Sequence, residues 1–530
     1  MAIDIDTKSV PEINGSILVE EDSRDNVTLE RLGKKPVLKR NFGFLTILGF
    51  SCTVLITWEG SLMTFLAGLQ NGGPSGLVYG YLIVWAGTLS VSAVLSELVS
   101  MAPTSGGQYH WVSMLAPPSS RKFFGYITGW LTIAGWQATV ASGLLLNGTL
   151  IQGIILLTHP GYSDNMQIWH GTLLSWAVAL LSFAINASIG SVLAKFEIVV
   201  LFLHILGFFA VLIPIVVLGD HASAKDVFNT FLNVGGWQTQ GLSFSIGISG
   251  CVFAFLGSDA AVHLSEEIHN APVVIPQSLM TGLTINGCLG FAMVVATLFS
   301  MGDIDAAMAE NPRYPFMAIF HHAIGSTTGA AVMSSLIVIM CFSALTGVLA
   351  STSRIYWAFA RDRGLPGWRT LNKVNERTKT PFNSVLLATG IAIVLSLINI
   401  GDETAFNGVI SISIAGIFGS YMMAASLLLY CRLAGKIREP NNDDEITNTI
   451  GKSLTWGPWR IRGFLGVANN VFTCIYLIYV FFFSFWPSSI EVSAATFNWA
   501  VVPFMAVILF CLLYYALWGR KTYLGPIIEL

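Results

Sequence analysis

Charge is scarce in this sequence. Only 11% of its 530 residues are Asp, Glu, Lys or Arg, against about 25% in soluble domains, so a water-soluble fold is excluded. No GxxxxGK[ST] motif occurs, which excludes an ATP-driven pump built on a phosphate-cradling loop. No basic patch stands apart from the loops that flank apolar segments, so nucleic acid is not a partner. The first 40 residues are polar and of mixed charge, with no apolar core before Phe42, and a cleaved signal peptide is not expected. Cysteine is sparse too. All seven (52, 251, 288, 341, 431, 474, 511) lie in apolar segments or at their edges, so neither a structural disulfide nor a metal site is expected, and no cofactor motif is found.

What fills the chain is apolar: 54% of residues are hydrophobic and the mean hydropathy is +0.67. Stretches such as 123–147 and 464–487 carry no charge at all. Runs of about 18 or more apolar residues span the roughly 30 Å hydrocarbon core as helices, and their weak alternation rules out barrel strands. Twelve spans are predicted: 43–68, 77–99, 123–157, 168–189, 196–218, 242–263, 279–301, 329–353, 383–400, 405–431, 464–486 and 498–518. A short helix near 316–325 is expected beside the eighth. The fold class is thus an all-α polytopic membrane protein.

Basic residues orient it. With an even span count and the N-terminus inside, 25 of the 27 Lys and Arg fall on the cytoplasmic side, all but Lys225 and Arg313, as membrane insertion favours. Residues 1–41 are then a flexible cytosolic tail, 42–520 the membrane domain, and 521–530 a cytosolic C-terminal tail.

Two spans break the rule of being apolar and helical. The first carries Thr57, Trp58, Glu59, Gly60 and Ser61 near its middle; the sixth carries Phe255, Leu256, Gly257, Ser258 and Asp259. Each sets an acid beside a glycine, which weakens a helix by roughly 1 kcal/mol relative to alanine, and a serine, which competes for backbone hydrogen bonds. The breaks are five spans apart. Discontinuous helices at matching positions of two inverted halves are how secondary transporters build a mid-membrane site; here the halves are 42–218 and 242–431, followed by two extra helices in 464–518. Packing glycines are the plain alternative. Asp259, His263 and Glu267 share a face at i, i+4, i+8, a polar stripe suited to a proton path or inner gate. Glu59, Asp259 and His263 are the proton-coupling candidates, since intramembrane ionisable groups are functional by default. A Na⁺ site using Ser351 and Thr352 against first-span carbonyls is the competing coupling. His204 reads as a packing residue. Trp136 and Gln137 on the third span are candidate lining residues, Trp136 for cation–π attraction to an amine. Arg354 reads as a topology or gating residue at the end of the eighth span.

The run Glu97 to Tyr109, with Pro103 and the pair Gly106-Gly107, resembles the segment after the second span of amino acid–polyamine–organocation permeases. Residues 71–74, 115–118 and 359–366, and Asp259 through Glu267 followed by Pro272 and Pro276, are similar to the fungal branch that includes choline and GABA permeases. The likeness covers roughly residues 40–520. It implies a leucine-transporter-type five-plus-five inverted repeat plus two C-terminal helices. It also implies a substrate site between spans 1 and 6, lined in part by spans 3 and 8, and secondary active, proton-coupled uptake of amino acids, choline or related amines at the plasma membrane. Thr57-Trp58 matches a Ser/Thr-Trp pair of the choline permeases. Glu59 departs from them, since an apolar residue stands there; an acid would serve a cationic amine or accept the proton. A nutrient sensor of the same fold and an exporter share these features. A membrane enzyme would need clustered His and Asp at a membrane surface, and none is found in the sequence.

Overall fold

The structure is a computed structural model that describes residues 25–188, 190–311, 313–398, 404–440, 446–493 and 497–529. Among these, ten helices are long and apolar enough to cross a membrane: Phe44–Met63 (counted through a break), Gly73–Met101, Arg121–Thr158, Ile168–Ala187, Val192–Leu218, Ala271–Phe299, Thr327–Arg361, Gly408–Leu433, Gly463–Phe483 and Val501–Thr522. Gln240–Phe253 and Phe382–Ser396 are apolar but shorter. They stand where the sixth and ninth spans were predicted. The sixth resumes after its break as a 3₁₀ helix, Ala260–Glu267, while the predicted end of the ninth, residue 400, lies outside the described residues. Among the described residues, the ten long helices and these two shorter ones match the twelve predicted spans one for one. Helix Pro315–Ile324 lies before the eighth, as expected, and ends on left-handed Gly325.

Small residues bring the helices together. A Cβ added at Gly135 of the third span would stand 2.6 Å from the backbone nitrogen of Ile417 in the tenth. With lipid as apolar as Leu, such close backbone approach supplies the van der Waals contact that holds membrane helices. Leu206, Val217, Phe464, Ile475 and Leu513 are exposed and suit a lipid-facing surface. Strand pairing is minor: Ile437–Arg438 lies parallel to Leu454–Thr455 between spans 10 and 11.

Part of the N-terminal tail is packed. Leu29, Leu32 and Leu38 are buried, the Glu529 N–H donates to the Gly33 carbonyl, and the Asn41 and Phe42 N–H groups donate to the Glu267 carbonyl at 2.9 and 3.2 Å. The described parts of the N- and C-terminal segments thus meet at one end of the bundle, beside the ends of spans 6 and 8. Residues 1–24 of the tail lie outside the described residues.

Candidate functional site

The first span breaks at Ile56, which takes the left-handed conformation (φ 36°, ψ 49°) between helices Phe44–Leu55 and Thr57–Met63. A β-branched residue there is strained by about 1–3 kcal/mol, so its surroundings impose the break. The Thr57–Met63 helix starts with N–H groups that no preceding turn can satisfy. The Thr57 N–H donates to Asn286 Oδ1 of the seventh span at 3.3 Å. The Glu59 carboxyl, fully buried, meets His204 Nδ1 of the fifth span at 2.9 Å. Its Oε2 and the His204 Nε2 have no hydrogen-bond partner. Unpaired buried polar atoms are costly in lipid, and Oε2 keeps its capacity to accept a further hydrogen bond or a proton.

The sixth span breaks over residues 254–259, with Gly257 at φ +91°. A Cβ there would sit 3.3 Å from Val54 Cγ1 of the first span and 3.7 Å from the Trp136 ring. The two breaks and the third span therefore meet at Gly257. Asp259 accepts from Tyr421 of the tenth span, from Gln108 Nε2 at 2.6 Å and contacts His263 Nε2 at 3.1 Å. His263 Nδ1 faces the Ser105 carbonyl at 3.2 Å. A carbonyl only accepts, so Nδ1 carries a proton, and a neutral imidazole then has none left for Nε2. The Nε2–Asp259 contact must hold one more proton, on either partner. Each break is thus flanked by a buried carboxylate–imidazole pair.

Not every candidate faces this centre. Gln137 is held by the Ala388 carbonyl at 3.1 Å and by the Tyr356 hydroxyl at 3.1 Å, tying spans 3, 9 and 8. Phe255 packs on Tyr81, centroids 5.1 Å apart. Trp58 packs on His204 and Phe208. Gly60 abuts Ala254, whose Cα would lie 3.3 Å from an added Cβ, so it serves close approach of spans 1 and 6. The Ser61 hydroxyl donates back to the Thr57 carbonyl at 2.7 Å. Trp136, by contrast, is fully buried with its ring edge-on to His263 at 5.4 Å. Ser258 is buried beside Asp259. The Ser351 hydroxyl donates to the Ala260 carbonyl at 3.0 Å and that of Thr352 to the Val348 carbonyl at 2.8 Å. The polar stripe also divides, because a 3₁₀ helix turns every three residues: Asp259 pairs with His263, while Glu267 turns to Arg354.

Glu267 receives Arg354 Nε at 2.7 Å and Nη2 at 3.3 Å, both side chains almost fully buried. Arg361 joins Glu266 (2.8 Å) to the C-terminal Glu529 (2.6 Å from Nε). Lys34 meets Asp362 at 2.6 Å, and Tyr109 donates to the same carboxylate at 2.8 Å. Burial alone would raise the Glu529 carboxyl; the hydrogen bonds and charge of Arg361, with the Lys35 N–H, outweigh it and hold it below its ordinary value. These pairs close the end of the bundle where the termini lie, and spans 1 and 6 are buried above them. The roughly 630 Å³ groove bounded by Met422, Phe481, Phe485 and Trp486 is an apolar seam between helices and contains none of the candidate residues.

The sequence pattern of the amino acid permease family matches residues 42–511. The chain belongs to that family. Among curated relatives, the choline transporter of Saccharomyces cerevisiae is 29% identical over 488 residues, covering 92% of this chain and 83% of the relative. The amino-acid permease BAT1 of Arabidopsis thaliana is 28% identical over 526 residues, 94% and 96% of the two chains. The swainsonine transporter swnT of Arthroderma benhamiae is 28% identical over 394 residues, 74% and 77%. The permease is a multi-pass membrane transporter.

Sequence reasoning missed four groups at this permease's centre. His204 read as packing, yet it is the partner of Glu59. Gln108 and Tyr421 arrive from distant elements, and no spacing rule points to them. Glu197, fully buried and accepting from the Thr53 hydroxyl, stands at the edge of the predicted fifth span; an acid in an apolar helix was the available signal. The helix begins earlier than predicted, at Gly190, which puts Glu197 well inside it.

Proposed function

We propose that this permease takes up an amino acid, choline or a related small amine across the plasma membrane, driven by protons, with the solute held where the breaks of spans 1 and 6 meet. The observation that carries this reading is the pair of buried carboxylate–imidazole contacts, one at each break. Glu59, with an unpartnered oxygen, is the group left to receive a substrate amine or a proton. Asp259 and His263 already share a proton. Trp136 offers an aromatic ring to a cationic amine. The names of the relatives, a choline transporter and an amino-acid permease among them, support the same solute classes. Glu197 lies seven residues, about two turns, from His204 on one face of span 5. In this reading Glu197 is a later station for a proton that leaves Glu59.

A panel of labelled amino acids, choline and polyamines, offered to permease-deficient yeast expressing the chain at external pH 5 and pH 7, tests the reading. Accumulation of at least one such solute, faster at the acid pH and abolished by a protonophore, is expected. Accumulation that requires Na⁺, or ligand-dependent signalling without accumulation, would reject it.

Both termini are cytosolic in this reading. A cysteine placed at Ser223 should be labelled by an impermeant maleimide in intact cells, and one at Asn375 only after permeabilisation. The reverse pattern would invert the orientation.

A further inference from the structure

At the end of the bundle opposite the termini, two consecutive histidines and one acid converge from separate helices. Glu310 ends the short helix Ile304–Glu310. His321 and His322 lie in the last turn of helix Pro315–Ile324. Glu310 Oε1 is 3.1 Å from His321 Nδ1, and its Oε2 is 2.9 Å from His322 Nε2. One donor atom from each residue falls in a group whose members all lie within 4.8 Å of one another. All three side chains are about one-third or more exposed, so an ion in solution reaches them.

We propose that Glu310, His321 and His322 form a binding site for a borderline divalent transition-metal ion, Zn²⁺ in the first instance, on the outer face of the permease. Four features of the site argue for it. The donor set is two imidazoles and a carboxylate, which suits Zn²⁺, Ni²⁺ or Cu²⁺, whereas Ca²⁺ and Mg²⁺ take oxygen ligands. Ligands of a tetrahedral zinc at about 2.0–2.1 Å stand roughly 3.3 Å apart, and the three donors, all within 4.8 Å of one another, need only draw together around the ion. The other nitrogen of His321, Nε2, lies 3.3 Å from the Thr327 hydroxyl at the start of the eighth span. That hydroxyl can accept the Nε2–H of the tautomer whose Nδ1 is free to bind an ion. Both histidines also sit at a helix C-terminus, where the exposed carbonyls favour a cation. Three protein ligands leave one position for water, the open arrangement.

The ion would fasten the segment after span 7 to a helix whose other face is buried: Phe316, Met317 and Phe320 pack in one cluster with Leu146, Leu150, Met333 and Ile337 of spans 3 and 8. Bound Zn²⁺ is therefore expected to slow transport by restraining the outer ends of these helices. The sequence reading, which looked for cysteine ligands, expected no metal here.

The test uses the full-length permease, purified without a polyhistidine tag and titrated with Zn²⁺ in a calorimeter. One ion per chain is expected. His321→Ala, His322→Ala and Glu310→Gln should each weaken binding by more than about tenfold, while His221→Ala, at another exposed histidine, should not. X-ray absorption of the Co²⁺-loaded parent chain reads the ligands without any variant and should report two imidazole nitrogens. Absence of binding by the parent chain, unchanged affinity in the His321→Ala/His322→Ala double variant, or an all-oxygen or thiolate ligand set would each overturn the site. If Zn²⁺ slows uptake by the parent and the double variant alike, the restraint on spans 3 and 8 is wrong.

Discussion

Glu59→Gln should abolish proton-driven accumulation while leaving exchange of substrate across the membrane measurable. Glutamine keeps the shape of the side chain and its Oε1 can still accept from His204, but it cannot take up or release a proton. In the parent, one Glu59 oxygen meets His204 and the other has no partner. An ionised carboxylate so placed, with a neutral imidazole, would leave a net negative charge in a site sealed from water. That state is costly unless a proton or a substrate cation joins it. In the proposed cycle, loading from an acidic exterior supplies the proton and opening to the other side releases it. Uptake against a gradient should therefore fall by at least about tenfold, a loss of about 1.4 kcal/mol or more in driving interaction, and its pH dependence should disappear. Counterflow in reconstituted vesicles should persist. If the variant still concentrates solute at pH 5 as the parent does, Glu59 is not the proton carrier. If counterflow is lost together with accumulation, Glu59 is instead an essential contact to the substrate amine.

Helices were legible because lipid imposes one rule on the whole chain. A span must be apolar for its full length and satisfy its own backbone, so the span limits could be read from composition to within several residues. The sixth-span break was legible for a local reason: Gly257 adopts φ +91°, which glycine takes at no steric cost. The first-span break was found only by its neighbours. Glu59 and Gly60 drew attention to the right turn, but the residue that bends is Ile56, whose β-branched side chain argues against that conformation. Ile56 is buried in a cluster drawn from spans 3, 5, 7 and 8, and such packing is not written in local sequence. The same holds for the partners. His204 and Glu59 are 145 residues apart and Tyr421 and Asp259 are 162 apart. Spacing on one helix, the one geometric rule a lone sequence offers, joined Asp259 to His263 but also suggested Glu267, which a 3₁₀ turn directs elsewhere. The hydrogen bonds of Ser351 and Thr352, to the Ala260 and Val348 carbonyls, were not legible either, since which way a buried hydroxyl turns depends on the nearest free carbonyl.

Arg354→Ala should open the inner end of the bundle and destabilise the protein. Arg354 and Glu267 are each only 1–2% exposed, with Nε and Oε1 2.7 Å apart. Removing one member leaves the other as an uncompensated buried charge, which costs about 3–5 kcal/mol, whereas removing both costs far less. Location makes this pair consequential. The Glu267 backbone carbonyl also receives the N–H groups of Asn41 and Phe42, so one residue joins the end of span 6, the start of span 1 and, through Arg354, span 8. For the solute to leave on this side, the first half of span 1 must part from span 6, and the Arg354–Glu267 pair must break with it. Arg354→Ala should therefore lower the thermal midpoint in detergent and expose a cysteine placed at Ser258 to a thiol reagent in inside-out vesicles. In the parent that cysteine should react slowly. Arg354→Ala/Glu267→Gln should recover much of the lost stability, because no buried charge is left alone, yet keep the cysteine exposed, because the tie is still missing. Stability and reactivity unchanged in Arg354→Ala would show that the pair does not hold this end closed. Stability lost with no gain in reactivity would make it a folding contact with no part in gating.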